Sequence, residues 1–263
     1  MISGDSGLFG PESVTWKVHG HPATLIGGMR ALLVQALHPL AMAGVAEHSD
    51  FRSDPWGRLR RTSEFVMVAT YGTTAEAEAF GERVQRVHRR VQGIDPITGR
   101  SYRAGDPELL AWVHNVLAHS LLLAKRRYGG GISKAEADRY LVEMVRMAEL
   151  VGTPPSLVPT TTGDLGDYLR GVRGLVASPV AKQAAHVVLA PPLPLAARPL
   201  WAVPAGAAVG LVPARLRAMY GFPWFAPADP AVRAAMTALF GVVGLVSPGG
   251  PPARRAAEAR LAA

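Results

Sequence analysis

No cysteine occurs in the 263 residues of this chain, which excludes disulfides, thiolate ligation of metal or haem, iron–sulfur clusters and a cysteine nucleophile. Any protein-bound metal must rely on His, carboxylate, Tyr or Met side chains. Lysine is scarce as well: only Lys17, Lys125, Lys134 and Lys182 stand among 28 basic residues, and with 20 acidic residues the net charge of +8 is carried mostly by arginine. Such a surplus suits an anionic cofactor, nucleic acid or a membrane surface, and charge alone does not choose among them. No nucleic-acid-binding module accompanies it, so nucleic acid is not an expected partner. Long apolar runs are missing too. The stretches at about 202–212 and 234–246 fall short of the ~20 residues of a span and are broken or bounded by Pro and Gly. No membrane span is expected, while peripheral membrane contact stays open. The first seven residues hold neither a basic segment leading into an apolar run nor a twin arginine, and a cytoplasmic protein is expected.

What is present reads at helical period. Hydrophobic residues are 49% and charged ones 18%, enough for a sizeable core and incompatible with disorder throughout. Strand-like alternation is rare, and the fold class is predicted to be all-α, a single helical-bundle-like domain over residues 1–246. Its core is expected over 5–185, its proline-rich part over 190–246, and a frayed basic helix or tail over 247–263. An apolar helix over 23–37 must stop or bend at His38-Pro39, because Pro39 lacks an N–H and disfavours helical geometry in the residue before it; the chain resumes over 40–47. Asp54-Pro55 and Asp106-Pro107 each put a capping side chain before a proline suited to the first helical position, predicting helices over 55–71 and 107–127. Thr73-x-x-Glu76 and Ser133-x-x-Glu136 are capping boxes for helices over 74–92 and 134–151. Further helices are predicted over 164–176, 179–189 and 230–246, with short helices and turns over 190–230.

Several motifs of catalysis are lacking: no H-E-x-x-H, no dinucleotide glycine motif after a strand, no G-x-S-x-G elbow, and no phosphate loop at Gly129-Gly130-Gly131. The candidates are single residues. His88 sits at the edge of the stripe Phe80, Val84, Val87, Val91 and leans inward, either as a core histidine bonded to a carbonyl or as a ligand. Arg58, Arg61, Thr62, Phe65 and Ala69 share one helix face. Two arginines there either reach the surface and pair with acids or meet carboxylates of a bound molecule. His114 lies on the apolar face of Leu110, Leu117 and Leu121, whereas His119 points nearly opposite and is expected to be solvated. His19, His21 and His48 fall in expected loops or element ends, where solvation is the ordinary state. His38, at a helix break inside an apolar region, is a further candidate for lining a cavity.

The order Leu33-x-Gln35-x-x-His38-Pro39, Asp54-Pro55-x-x-Arg58-Leu59-x-x-Thr62, His88-x-x-Val91-x-Gly93, Asp106-Pro107-x-x-x-x-Trp112-Val113-His114 and Tyr140-x-x-Glu143 resembles the bacterial domain of unknown function related to rubber oxygenase. That superfamily includes the latex-clearing proteins and the mycophenolic-acid biosynthesis oxygenase. The resemblance covers about residues 5–185. It implies an all-helical domain binding one haem b, with His88 as the iron ligand, Arg58 and Thr62 as a pair at the haem, and a cavity expected between the helices that bear Arg58/Thr62 and His88. In the rubber-cleaving branch the residue before the threonine is lysine; here it is Arg61, and guanidinium is a very poor iron ligand. The distal side is thereby left to water, O2 or a residue such as His38 or His114. The expected function is a haem b dependent oxygenase taking O2 and a hydrophobic small molecule, an isoprenoid or another unsaturated compound, within the cell, with Arg58, Thr62 and Arg61 stabilising negative charge or orienting substrate. The alternative is a haem carrier or sensor, favoured by a second protein ligand on the iron. A third reading is a membrane-surface or interaction protein whose histidines are structural.

Overall fold

The computed structural model describes residues 4–223 and 226–263; residues 1–3 and 224–225 of the expected domain lie outside the described residues. The elements run α1 (Val14–His19), α2 (Thr24–Gln35), α3 (Pro39–His48), α4 (Pro55–Tyr71), α5 (Thr74–His88), β1 (Gln92–Ile94), β2 (Ser101–Arg103), α6 (Pro107–Tyr128), α7 (Lys134–Leu150), α8 (Thr162–Gly171), α9 (Pro179–Leu189), α10 (Arg198–Leu211), α11 (Ala214–Tyr220), α12 (Asp229–Val246) and α13 (Pro252–Ala262). The fold is all-α, with one antiparallel hairpin in which Gln92 faces Arg103 and Ile94 faces Ser101.

Three of the four predicted caps are in place; the exception is Asp106, which precedes α6 but turns its carboxylate back to accept the Arg103 N–H at 3.3 Å and makes no cap hydrogen bond. Asp54 accepts the Gly57 N–H at 2.8 Å, and both capping boxes close reciprocally. The break at His38-Pro39 bends α2 against α3 by 104°. There His38 is extended, and its Nδ1 accepts the Ala41 N–H at 3.4 Å as the cap of α3. Two predicted helices are shorter than expected. α5 stops at His88 because the chain beyond it enters the β1–β2 hairpin, and α8 ends at Gly171 because the following residues run extended, with Val176 donating to the Leu37 carbonyl at 2.8 Å.

The long helix α6 is the axis of the molecule. One buried group joins it to α2, α3, α9 and α11 through Leu33, Leu37, Trp112 and Val116; a second joins it to α1, α4, α7 and α8 through Leu121, Leu122, Tyr140 and Met144; a third joins it to α2, α10 and α12 through Ile26, Met29, Ala124 and Met236. α2 approaches α6 most closely at Gly27, where a Cβ would lie 2.9 Å from the Leu121 Cα and from the Ser120 oxygen. Only glycine permits that approach.

The short helix α1, unforeseen from the sequence, is clamped at both ends by α7. The Glu143 carboxylate accepts the Val14 and Thr15 N–H groups at 3.2 and 2.8 Å, where the helix presents its positive end. Tyr140, one turn earlier, reaches His19 at the other end. The spaced pair Tyr140-x-x-Glu143 thus has a structural use. At the C-terminus, the expected frayed tail is α13, which packs on α4 with Ala257 fully buried and Arg260 donating to the Tyr71 carbonyl at 3.0 Å. α12 is long and apolar enough to count as a candidate membrane span, although it was not expected to be one from the sequence.

Candidate functional site

α4 and α5 form an antiparallel hairpin about Gly72 and Thr73. Arg58 lies 14 residues before Gly72 and His88 15 residues after Thr73, so equal rise per residue brings the two to the same end of the hairpin. Phe65 and Phe80, with ring centroids 5.8 Å apart, hold the helices together. α5 is fixed in turn against α7 by Gln85, whose amide donates to the Leu150 carbonyl at 2.9 Å, and by Gly81, where a Cβ would meet that same carbonyl at 2.5 Å.

The N-terminal half of α4 forms one wall of an apolar cleft. The facing walls come from α2 (Met29, Leu32, Gln35), α3 (Met42, Val45), α9 (Val187, Val188) and α6, with Trp56 and Trp201 also lining it. Val113 is 41% exposed although it stands on the central helix, because it faces this cleft. The polar groups on the walls are few. Gln35 donates its amide to the Val113 carbonyl at 2.8 Å, Thr62 donates its hydroxyl to the Arg58 carbonyl at 3.1 Å, and the Arg58 guanidinium makes no hydrogen bond or ion pair among the described residues. Burial lowers the pKa of Arg58, and neighbouring Arg61 adds to that. A half-buried guanidinium with no anion is a group prepared for one.

His88 stands beside Arg58. Its Nδ1 is occluded from solvent and has no hydrogen-bond partner among the described residues. Burial first, then the Arg58 charge, lower its pKa, so the imidazole is neutral at neutral pH, the form that binds metal. His88 does not line the cleft, and neither does any other residue of α5.

The other sequence candidates lie elsewhere. Arg61 is on the outer surface, 3.6 Å from Asp54 and 4.0 Å from Asp50. His38 caps α3 with its ring centroid 5.8 Å from that of Trp112; burial and then Arg100 lower its pKa, and Asp95 opposes them. His114 is buried, its Nε2 has no partner, and burial pushes its pKa down to about 4. It neighbours His19 rather than His88.

Three expectations about histidines are corrected. His21, expected to be solvated, is half-buried, with its ring against Phe240 and its Nδ1 accepting the Ala23 N–H at 3.0 Å. His19 is not solvated: it is fully enclosed, with Nδ1 2.7 Å from the Thr70 hydroxyl and Nε2 3.0 Å from that of Tyr140. Thr70 gives its own proton to the Val66 carbonyl, so Nδ1 is the protonated nitrogen and Nε2 accepts from Tyr140. Burial, then the His114 charge, lower the pKa of His19 to about 3. His119 is likewise largely enclosed. Its Nδ1 has no partner, and burial, followed by Arg30 and Arg126, lowers its pKa to about 3.

The donor set suits a haem better than a bare ion. Among the described residues, no three His, Asp or Glu side chains converge as a metal site, whereas a macrocycle brings four nitrogens of its own and needs from the protein one axial donor, cations for its carboxylates and an apolar slot. Arg58 and the cleft it lines answer to the second and third needs, and His88, beside Arg58 but outside the lining, is the nearest nitrogen donor for the first.

No curated protein and no solved structure matches the chain. A family model described as "ER-bound oxygenase mpaB/B'/Rubber oxygenase, catalytic domain" matches residues 16–242, which spans α1 to α12 and includes both the cleft and His88. The chain therefore belongs to the family of mpaB and rubber oxygenase catalytic domains.

Proposed function

We propose that this oxygenase-family chain is a haem b dependent oxygenase acting on a hydrophobic small molecule in the cleft beside α4. The observation that carries the reading is the pairing of His88, neutral and with an unpartnered buried nitrogen, with Arg58, a half-buried cation without an anion. His88 would hold the iron and Arg58 a haem carboxylate. When bound, the haem supplies an iron centre that activates O2 toward an unsaturated or otherwise oxidisable carbon skeleton.

The chain's own residues do the rest. The aliphatic and aromatic walls exclude water and select an apolar substrate. Thr62 has its proton engaged by the Arg58 carbonyl, so toward the cleft it offers an acceptor. The Arg58 charge, in a poorly solvated setting, steadies negative charge that develops beside it. Arg61, held by Asp50 and Asp54, adds positive potential at the rim rather than a contact in the cleft.

A carrier or sensor with two protein ligands is less well supported. His38 spends Nδ1 on the cap of α3, and His114 neighbours His19.

The test is the visible spectrum of the purified chain, as isolated or after adding hemin, then with dithionite and CO. A Soret band that shifts with CO is expected, and it should be lost or displaced in His88→Ala. No Soret band after hemin, or an unaltered band with stoichiometric haem in His88→Ala, overturns the assignment.

A further inference from the structure

The C-terminal part of the molecule carries a face that oxygenase chemistry leaves unexplained. α12 turns Val232, Met236, Leu239 and Phe240 toward the body. Its opposite side, with Ala234, Ala238, Val242 and Leu245, is open to solvent, as is Val246 at the helix end, and Leu245 and Val246 are 83% and 76% exposed. α12 packs on α10, and just before and at the start of α10 two more leucines stand out, Leu195 at 76% and Leu200 at 63% exposed. Single exposed apolar side chains are ordinary, but a whole helix face of them marks an interaction site.

Charge says what covers it. Residues 190–263 contain seven arginines, no lysine and two acids, a net +5, while the preceding 189 residues hold 21 basic and 18 acidic residues, a net +3. Both acids of the segment are neutralised, Asp229 by Arg127 and Glu258 by Arg254. Arg198, Arg233 and Arg255 form no ion pair among the described residues; Arg198 and Arg255 bond only to backbone oxygens and Ser247. We propose that this face docks on the surface of an anionic lipid bilayer, with α12 lying in the plane of the interface.

The alternatives fit less well. α12 as a whole is long and apolar enough to count as a candidate span, but Asp229 in its first turn is paired with Arg127 and Val232, Met236, Leu239 and Phe240 are committed to the body. A second copy meeting the same face would bring together two segments of like charge. An exposed apolar helix face in a segment rich in arginines without ion pairs, Arg233 on α12 itself among them, is what interfacial binding calls for. The docking does not depend on the haem reading. One consequence does: because Trp201 of α10 and Pro191 also line the cleft, a hydrophobic substrate would enter from lipid rather than from water.

The test is co-sedimentation of the purified full chain with vesicles of phosphatidylcholine alone and of phosphatidylcholine mixed with phosphatidylglycerol. Binding is expected to the anionic vesicles and not to the neutral ones, weakened by salt, weakened about fivefold by Arg233→Gln, and abolished by the double change Leu245→Glu and Val246→Glu. Both of those residues are exposed, so an unchanged circular dichroism spectrum is expected for that variant. No binding to anionic vesicles, binding undiminished by the double change, a dimer that the double change dissolves, or release from membranes only by detergent each overturns the proposal.

Discussion

Arg58 keeps a charge in a half-buried position with no anion beside it, and such a group costs stability while nothing is bound. A residue retained on those terms should reverse its effect when ligand arrives. Arg58→Met is expected to leave the melting temperature of the haem-free chain unchanged or raised, since Met fills the same space without a charge to desolvate. The same change is expected to weaken hemin binding about tenfold to a hundredfold, the span of a charged hydrogen bond worth ~1.5–3 kcal/mol. Arg58→Lys should fall between, because a point charge replaces a fork that binds a carboxylate through two donors. Thermal melts without hemin and a hemin titration measure both arms, and a less stable haem-free Arg58→Met would mean that the arginine is structural. Arg61 predicts the contrary pattern. Its pairs with Asp50 and Asp54 are exposed, and Arg61→Ala should shift stability by less than about 1 kcal/mol and leave hemin affinity unaltered.

The element that sets this site is the α4–α5 hairpin, and its turn is fixed by the Thr73 capping box. Thr73→Ala is expected to cost about 1 kcal/mol and to weaken hemin binding, because His88 stands at the far end of the helix that the box starts. Ser133→Ala, in the matching box of α7, should cost a similar amount and leave hemin affinity as it was; equal hemin affinities for the two variants would detach the site from the hairpin. Most of this element was legible in the sequence, since Asp54, Thr73 and Glu76 act on N–H groups within three residues of themselves. That local chemistry placed Arg58 and Thr62 on one helix and His88 near the end of the next. What stayed hidden depends on distant partners or on short elements. The three-residue strands β1 and β2 are too brief to show a period, so α5 was read past His88. His19 was read as solvated because the partners that bury it, Thr70 and Tyr140, are 51 and 121 residues away. The cleft was expected between α4 and α5, but its walls come from α2, α3, α4, α6, α9 and α10 with none from α5, because the helices that meet across a gap are set by packing that no spacing along the chain encodes.

For the molecule as a whole, the enclosed histidines set how stability responds to acid. The pKa values of His19 and His119 are lowered to about 3 and those of His21 and His114 to about 4, in every case with burial as the largest cause. A folded-state pKa below the unfolded value of about 6.5 means that the unfolded chain takes up protons which the folded chain refuses, so stability is full above that value and falls as pH drops below it. The carboxylates act in another window: Glu136, hydrogen-bonded to Lys17, and Asp138, hydrogen-bonded to Lys134, are held down to about 2, and such groups matter only in the carboxylate range and below. Between pH 6.5 and 5 the loss therefore belongs to histidine. Each fully enclosed histidine contributes about 1.4 kcal/mol per pH unit, so His19 and His114 together should remove roughly 4 kcal/mol by pH 5. At about 2–4 °C per kcal/mol for a chain near this size, the melting temperature is expected to fall by roughly 10 °C between pH 7 and pH 5, with His21 and His119 adding to it. His19→Gln separates this cause from general acid weakening. The Gln amide offers one donor for Thr70 and one acceptor for Tyr140 and does not titrate, so the variant's melting temperature should fall less steeply with pH even if it starts lower. Parallel curves for variant and parent would show that the buried His19 does not carry the acid response.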